Sequence, residues 1–259
     1  MKFAKFIVND ELCTGVVSES KIDEIVGDIF GEWEYNGRSF AESQVKWAAP
    51  VEPSKVIGIG ANYVGDTSEL PDKLPEIPVF FFKPASSVIG TGQQVVLPQG
   101  TDTIKFESEL AVVIGREAKN VSEDEALDYV FGYTAGNDVT APQYFREDGH
   151  WTIGKSFDTF TPLGPVIETE LDPLEVAVKA EVDGVEKQNS KTELMIVPTK
   201  KMISYLSSIM TLSPGDVILT GSPLGAEMVG NGTVVDCKID GIGTLRNTIV
   251  KAAKTADTR

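Results

Sequence analysis

The stretch Phe106-Glu107-Ser108-Glu109-Leu110-Ala111-Val112-Val113-Ile114-Gly115 decides how the rest of this chain is read. Two carboxylates lead into an apolar run that stops at a glycine. Such a run, rich in β-branched residues, predicts a strand. Alternate side chains of a strand share a face, so Glu107 and Glu109 fall side by side with Cα atoms roughly 6.5–7 Å apart, while Phe106, Ser108 and Leu110 point the other way. Adjacent carboxylates entering an apolar run repel each other and lose solvation, and a divalent cation relieves both penalties. Taken alone, the stretch is equally an edge strand with a solvated charged face.

Three further segments bear on that choice. In Phe131-Gly132-Tyr133-Thr134-Ala135-Gly136-Asn137-Asp138-Val139 an apolar strand runs into Asn-Asp, and an acidic group at a strand end is well placed as a third ligand. Three carboxylates plus waters or substrate oxygens suit octahedral Mg²⁺ or Mn²⁺; an Asp bonding its own turn backbone is the alternative. Gly154-Lys155-Ser156 presents an ammonium to an anionic oxygen, or else a surface lysine. Pro214-Gly215-Asp216, followed by Thr220-Gly221-Ser222-Pro223, reads as turn, strand and a Gly-rich loop whose N–H groups face anions.

Strand-length apolar runs recur at 3–8, 56–59, 79–82, 110–114, 217–220 and 234–239. Three helices are predicted. One is short, around 21–29. A second starts at the capping box Ser122-Glu123-Asp124-Glu125 and runs through Ala126 and Tyr129. The third, over 199–210, puts Met202, Ile203, Leu206, Ile209 and Met210 on one stripe. Pro50 and Pro53 interrupt the pattern and mark a boundary between a small β-rich unit, 1–50, and a larger domain, 51–259. Many strands and few helices predict a β-dominated α+β fold.

Composition narrows the partners. With 23 Lys+Arg against 39 Asp+Glu, the net charge of −16 argues against nucleic acid and anionic membrane. Cys13 and Cys237 are too distant to suggest a metal spacing, and no apolar run reaches spanning length, so a reducing cytoplasm is expected. The single histidine, His150, disfavours zinc sites built on several imidazoles.

Taken in order, these segments resemble the fumarylacetoacetate hydrolase family over about 53–251. Also in register are Gly60-Ala61-Asn62-Tyr63, Phe81-Phe82-Lys83-Pro84 and Asp158-Thr159-Phe160, and residues before 50 look like the small N-terminal domain many bacterial members carry. The resemblance implies a mixed β-sheet roll, a homodimer, and Mg²⁺ or Mn²⁺ held by Glu107, Glu109 and Asp138. It implies Lys155 as the active-site lysine, and Asn62, Tyr63 and Ser222 on the substrate side. It further implies a small oxo acid as substrate, processed by acylpyruvate hydrolysis, decarboxylation, isomerisation of hydroxymuconate-type diacids from aromatic catabolism, or sugar-acid dehydration.

The chain departs from the family pattern at three positions. Ala61 and Pro142 stand where arginines are common, and Asp66 stands where histidine is common. The expected substitutes are an Asp66–Glu69 pair acting as proton-transfer group, His150 entering the pocket, or a less anionic substrate. The loop 65–78 is expected to close as a lid. A relative that binds metal without turnover is the competing reading.

Overall fold

The computed structural model describes residues 1–19, 21–147 and 149–252. The strands are β1 (Lys2–Val8), β2 (Glu11–Ser18), β3 (Lys21–Gly27), β4 (Trp33–Ala41), β5 (Lys46–Trp47), β6 (Val56–Ile59), β7 (Phe80–Lys83), β8 (Val88–Ile89), β9 (Gln94–Leu97), β10 (Thr103–Lys105), β11 (Ser108–Ile114), β12 (Val130–Asn137), β13 (Thr161–Glu168), β14 (Ala177–Val182), β15 (Val185–Lys191), β16 (Val217–Leu219), β17 (Met228–Gly230), β18 (Val234–Ile239) and β19 (Gly243–Lys251). The α-helices are α1 (Thr152–Lys155) and α2 (Thr199–Ile209).

A large mixed sheet runs β4-β3-β2-β1-β13-β12-β11-β16-β6-β7, with β5 on β1 and β8 on β13. A second sheet, β15-β14-β18-β19-β9, packs over it, and β10 pairs with β17. This is the β-dominated fold that the strand pattern predicts and the mixed roll that the resemblance implies.

β11 lies between β12 and β16, which removes the solvated-edge reading of its acidic entrance. Both of its faces are covered. Leu110, Val112 and Ile114 join a core shared with Val178 and Ala180 of β14 and Leu245 of β19. Ala111 and Val113 join a separate cluster with Val56, Leu163, Ile167, Val217 and Leu219. An apolar run buried on two faces needs no alternation, and each large aliphatic side chain contributes about 1.5–3 kcal/mol.

The region predicted as a helix around 21–29 is instead strand β3. In a strand, residues three apart fall on opposite faces. Ile22 packs with Phe6 and Cys13, and Ile25 packs with Phe3 and Val16. The helix predicted from Ser122 is also corrected: it is one 3₁₀ turn, Ala126–Tyr129. Ser122 Oγ meets the Glu125 carboxylate at 2.7 Å, and the β-prone Val130-Phe131 draws the chain into β12. The third helix forms, with Met202, Ile203 and Leu206 buried and Ile209 exposed.

The N-terminal strands continue the large sheet, because Lys2 and Phe3 pair with Glu168 and Ile167 of β13. The link to the roll is pinned by Asp216, whose buried carboxylate accepts from Ser54 Oγ (2.6 Å), the Lys55 N–H (3.0 Å) and the Ser213 N–H (2.6 Å).

Gly132 sits where β12 meets β13, and a Cβ there would stand 2.6 Å from the Glu168 carbonyl oxygen. Backbone at that spot has no room to yield, so Gly132→Ala is expected to lose about 1–3 kcal/mol. A denaturant midpoint equal to that of the parent protein would contradict this packing.

Candidate active site

The entrance to β11 and the exit of β12 run antiparallel, and their hydrogen bonds fix the acidic residues. The Asp138 N–H donates to the Glu107 carbonyl at 2.9 Å, and the Glu107 N–H donates to Asn137 Oδ1 at 2.9 Å. One step further out, Lys105 and Thr140 exchange backbone bonds of 2.7 and 2.9 Å. Glu107 and Asp138 are therefore neighbours across the ladder.

Lys155 reaches them from α1. Its Nζ lies 2.6 Å from Glu107 Oε2 and is hydrogen-bonded to Asp138 Oδ2. The approach depends on Gly154, where a Cβ would meet the Ala141 carbonyl oxygen at 2.6 Å. Behind Asp138, Lys83 Nζ contacts Oδ1 at 2.7 Å and donates to the Val139 carbonyl at 3.0 Å. Glu109, two residues along from Glu107, accepts a 2.7 Å bond from the Gly221 N–H.

Glu107, Glu109, Asp138 and Lys155 form the floor of a cavity of about 570 Å³, with Lys83 outside its lining. Its wall is aromatic: Trp151 stacks on Phe145 (6.0 Å, 24°) and meets Phe81 edge-on (5.8 Å). Lys155 Nζ lies 4.8 Å from the centre of the Phe81 ring.

Burial raises the proton affinity of Asp138, but Lys155 and Lys83 outweigh it and hold its pKa below the usual aspartate range. Burial likewise disfavours the charged form of Lys155, yet Asp138 and Glu107 outweigh it and hold this pKa above the usual lysine value. For Lys83 burial wins, and its pKa falls. Burial, reinforced by Asp138 and Glu107, pushes Glu109 well above the ordinary carboxylate range.

Glu107, Glu109 and Asp138, the three carboxylates expected to hold an ion, line one cavity. Among the described residues no three acidic, His or Cys side chains stand arranged as a ligand cluster. The Lys155 ammonium lies between Glu107 and Asp138, and Glu109 is turned to a backbone N–H. The donor set nevertheless fits a hard divalent ion. All three are carboxylates on one cavity floor, and Glu109 is buried with a neutral donor rather than a cation as its hydrogen-bond partner.

Other predicted residues divide into two groups. Tyr63 and Ser222 line the cavity. The Tyr63 hydroxyl is buried without a hydrogen-bond partner among the described residues, and Ser222 Oγ accepts from Gln188 Nε2 at 2.8 Å. Asn62 also lines the cavity, but its amide is engaged by the fold: it bonds the Val197 and Thr220 carbonyls and the Val197 N–H. Asp66 and Glu69 do not reach the cavity lining. Asp66 accepts from the Ser68 N–H, and Glu69 accepts from the Gly65 N–H at 2.9 Å, so both carboxylates serve their own loop. His150 lies outside the lining, in a hollow beside Phe80 and Phe82. Sequence reasoning missed the roles of Lys83, Lys105 and the aromatic wall. Lys83 carried a signal: a lysine flanked by three phenylalanines and a proline requires a buried partner.

Fold and site together set carboxylates and an ammonium on the floor of one cavity inside a β-roll. Residues 55–250 match the family described as fumarylacetoacetate (FAA) hydrolase C-terminal, and residues 1–50 match Rv2993c-like, N-terminal. The chain belongs to the fumarylacetoacetate hydrolase family, whose members related to it include isomerases, hydrolases and tautomerases. It is 38% identical to the oxaloacetate tautomerase fahd2, mitochondrial, of Xenopus laevis, over 83% of this chain and 72% of that one. The structure of 5-carboxymethyl-2-hydroxymuconate delta-isomerase from Mycobacterium smegmatis superposes with a TM-score of 0.91 at 38% identity, covering 97% of this chain and all of that one. Maleylpyruvate hydrolase from Sphingobium sp. SYK-6, solved with manganese(II) and pyruvate, gives a TM-score of 0.81 at 27% identity over 98% of this chain and all of that one. Among the described residues no helix is long and apolar enough to cross a membrane.

The charge pairing has a pH signature. The depressed pKa of Asp138 gives stability that is present above the ordinary value of about 3.9 and lost as pH falls through the depressed one. The raised pKa of Lys155 gives stability that is present below about 10.4 and lost as pH rises through the raised one. Asp138→Asn is therefore expected to cost about 3–5 kcal/mol at neutral pH without added divalent ion. Denaturant titrations across acid pH should show the deficit shrinking as the parent protein protonates Asp138; a deficit independent of pH contradicts the assignment.

Proposed function

We propose that this enzyme moves a proton within a small 2-oxo (or enol) acid, by keto–enol tautomerisation or the related isomerisation, with Mg²⁺ or Mn²⁺ bound. The observation behind this reading is the buried Lys155 ammonium, set between Glu107 and Asp138 at the floor of an aromatic-walled cavity. The names of the tautomerase and isomerase relatives support it.

Glu107, Glu109 and Asp138 would hold the divalent ion; when bound, it supplies Lewis-acid stabilisation of enolate charge. Lys155 holds a fixed positive charge and N–H donors beside the substrate's 2-oxygen. A preorganised donor of this kind stabilises the oxyanion of the enol form more than the ketone. Tyr63 brings an unpartnered hydroxyl to the same cavity, next to Glu109. Ser222, held by Gln188, faces the substrate's carboxylate end. Trp151, Phe145 and Phe81 exclude water, which strengthens these interactions.

C–C bond hydrolysis is the weaker alternative. It needs an activated water, and among the described residues the cavity is lined by neither an imidazole nor the Asp66–Glu69 pair.

The test is enol–keto exchange of oxaloacetate, followed by ultraviolet absorbance of the enol with Mg²⁺ present. Lys155→Met is expected to lose about 100-fold or more in rate, the size seen for removal of an oxyanion donor. Glu107→Gln is expected to lose Mg²⁺ binding and exchange together, measured by calorimetric titration and the same assay. Undiminished metal-dependent exchange in either variant overturns the role given to that residue, and release of pyruvate faster than exchange would favour C–C cleavage.

A further inference from the structure

We propose that Gln188 is a positioning residue for the reaction: it fixes the Ser222 hydroxyl as a hydrogen-bond donor toward the substrate's carboxylate. This rests on the oxo-acid reading above. Gln188 inverts the ordinary order of burial. Of the seven residues of β15 it is the buried one, at 1% exposure, whereas Val185 of the same strand is 58% exposed. β15 is the end strand of its sheet. A strand that covers an amide and leaves a valine in water uses its buried position for hydrogen bonding, because an amide is buried at a cost unless its partners are supplied.

Those partners fix which end of the amide is which. Oε1 accepts from the Ser108 N–H at 3.1 Å, and Nε2 donates to the Pro223 carbonyl at 2.6 Å. A backbone N–H only donates and a carbonyl only accepts, so the amide cannot be turned over without losing both bonds. The third bond, 2.8 Å between Nε2 and Ser222 Oγ, then runs in one direction: the amide donates and the hydroxyl oxygen accepts. A hydroxyl carries one hydrogen, and that of Ser222 is directed away from the amide. Ser222 lines the cavity, so the hydrogen is left for a ligand there. An ionised carboxylate, which only accepts, is the group it fits.

The same amide sets where the hydroxyl stands. The Ser108 N–H lies in the chain between Glu107 and Glu109, so one side chain spans from the acidic strand to the loop 221–225. The loop is held at both ends. Gly221 donates its N–H to Glu109, and Gly225, at a φ of +101°, lies so close to β15 that a Cβ there would overlap the Lys187 carbonyl oxygen. Gln188 thereby registers the Ser222 donor against the carboxylates of β11.

The experiment is a double-mutant cycle in pyruvate affinity, read by calorimetric titration of the full chain at Mg²⁺ concentrations shown to saturate each variant. Parent protein, Ser222→Ala, Gln188→Met and the double variant are compared. Each single variant is expected to bind pyruvate about tenfold more weakly, the size of one hydrogen bond to a charged group. Because the amide acts through the hydroxyl, the double variant should bind no more weakly than the weaker single variant. Parent-like affinity in either single variant overturns the proposal, as does a double variant whose loss is the product of the two single losses. A lowered melting midpoint with parent-like affinity marks Gln188 as a purely structural residue and overturns it too. Where Gln188→Met does not fold, Gln188→Asn, whose amide is one methylene too short to meet both Ser108 and Ser222, takes its place under the same criteria. Failure of the parent to bind pyruvate overturns the oxo-acid reading as well, a result distinct from binding that ignores the substitutions.

Discussion

A carboxylate sealed from water needs a cation, and Asp138 takes two. Lys83 meets one oxygen and Lys155 the other, with all three side chains almost wholly buried. The arrangement fixes more than itself. It ties the exit of β12 to β7 through Lys83 and to α1 through Lys155, so three remote segments are drawn to one point. Removing any member leaves the others as buried charges without compensation, a state costlier than never having buried them. The cavity floor is thus held in place by the pairing of its own charges.

Glu109 stands apart from that balance. Its hydrogen-bond partner is a backbone N–H, and burial, with repulsion from Asp138 and Glu107, disfavours its charge more than Lys155 favours it. A fold that tolerates such a group gives up stability at a place where a cation can restore it. The strain is local, because the rest of β11 is conventional, with aliphatic side chains filling two cores.

Much of this was legible in the chain itself. Runs such as 56–59 and 110–114 form strands because their composition admits little else, whereas Glu107, Asp138 and Lys155 were ambiguous one by one and became a set only through the family resemblance. Two kinds of information were hidden. Spacing alone could not tell a short helix from a strand with two buried faces, as at 21–29, where β3 forms. Nor could it show which polar groups the fold itself would occupy. Asn62 is saturated by the backbone at 197 and 220, and Asp66 and Glu69 by their own loop, all through contacts that depend on final geometry. The aromatic wall was equally invisible, since Phe81 and Trp151 come together only when β7 is laid beside the turn before α1.

Asp216 gives the molecule one more property. By gripping Ser54 and Lys55 it clamps the crossover from the small N-terminal unit at the first residues of the roll, and Val217 then pairs directly with Val56. The crossover works as a splint and not as a swivel. The far ends of the parallel pair β6–β16 lead to Asn62 and Ser222, so the clamp and the cavity lie along one stretch of sheet.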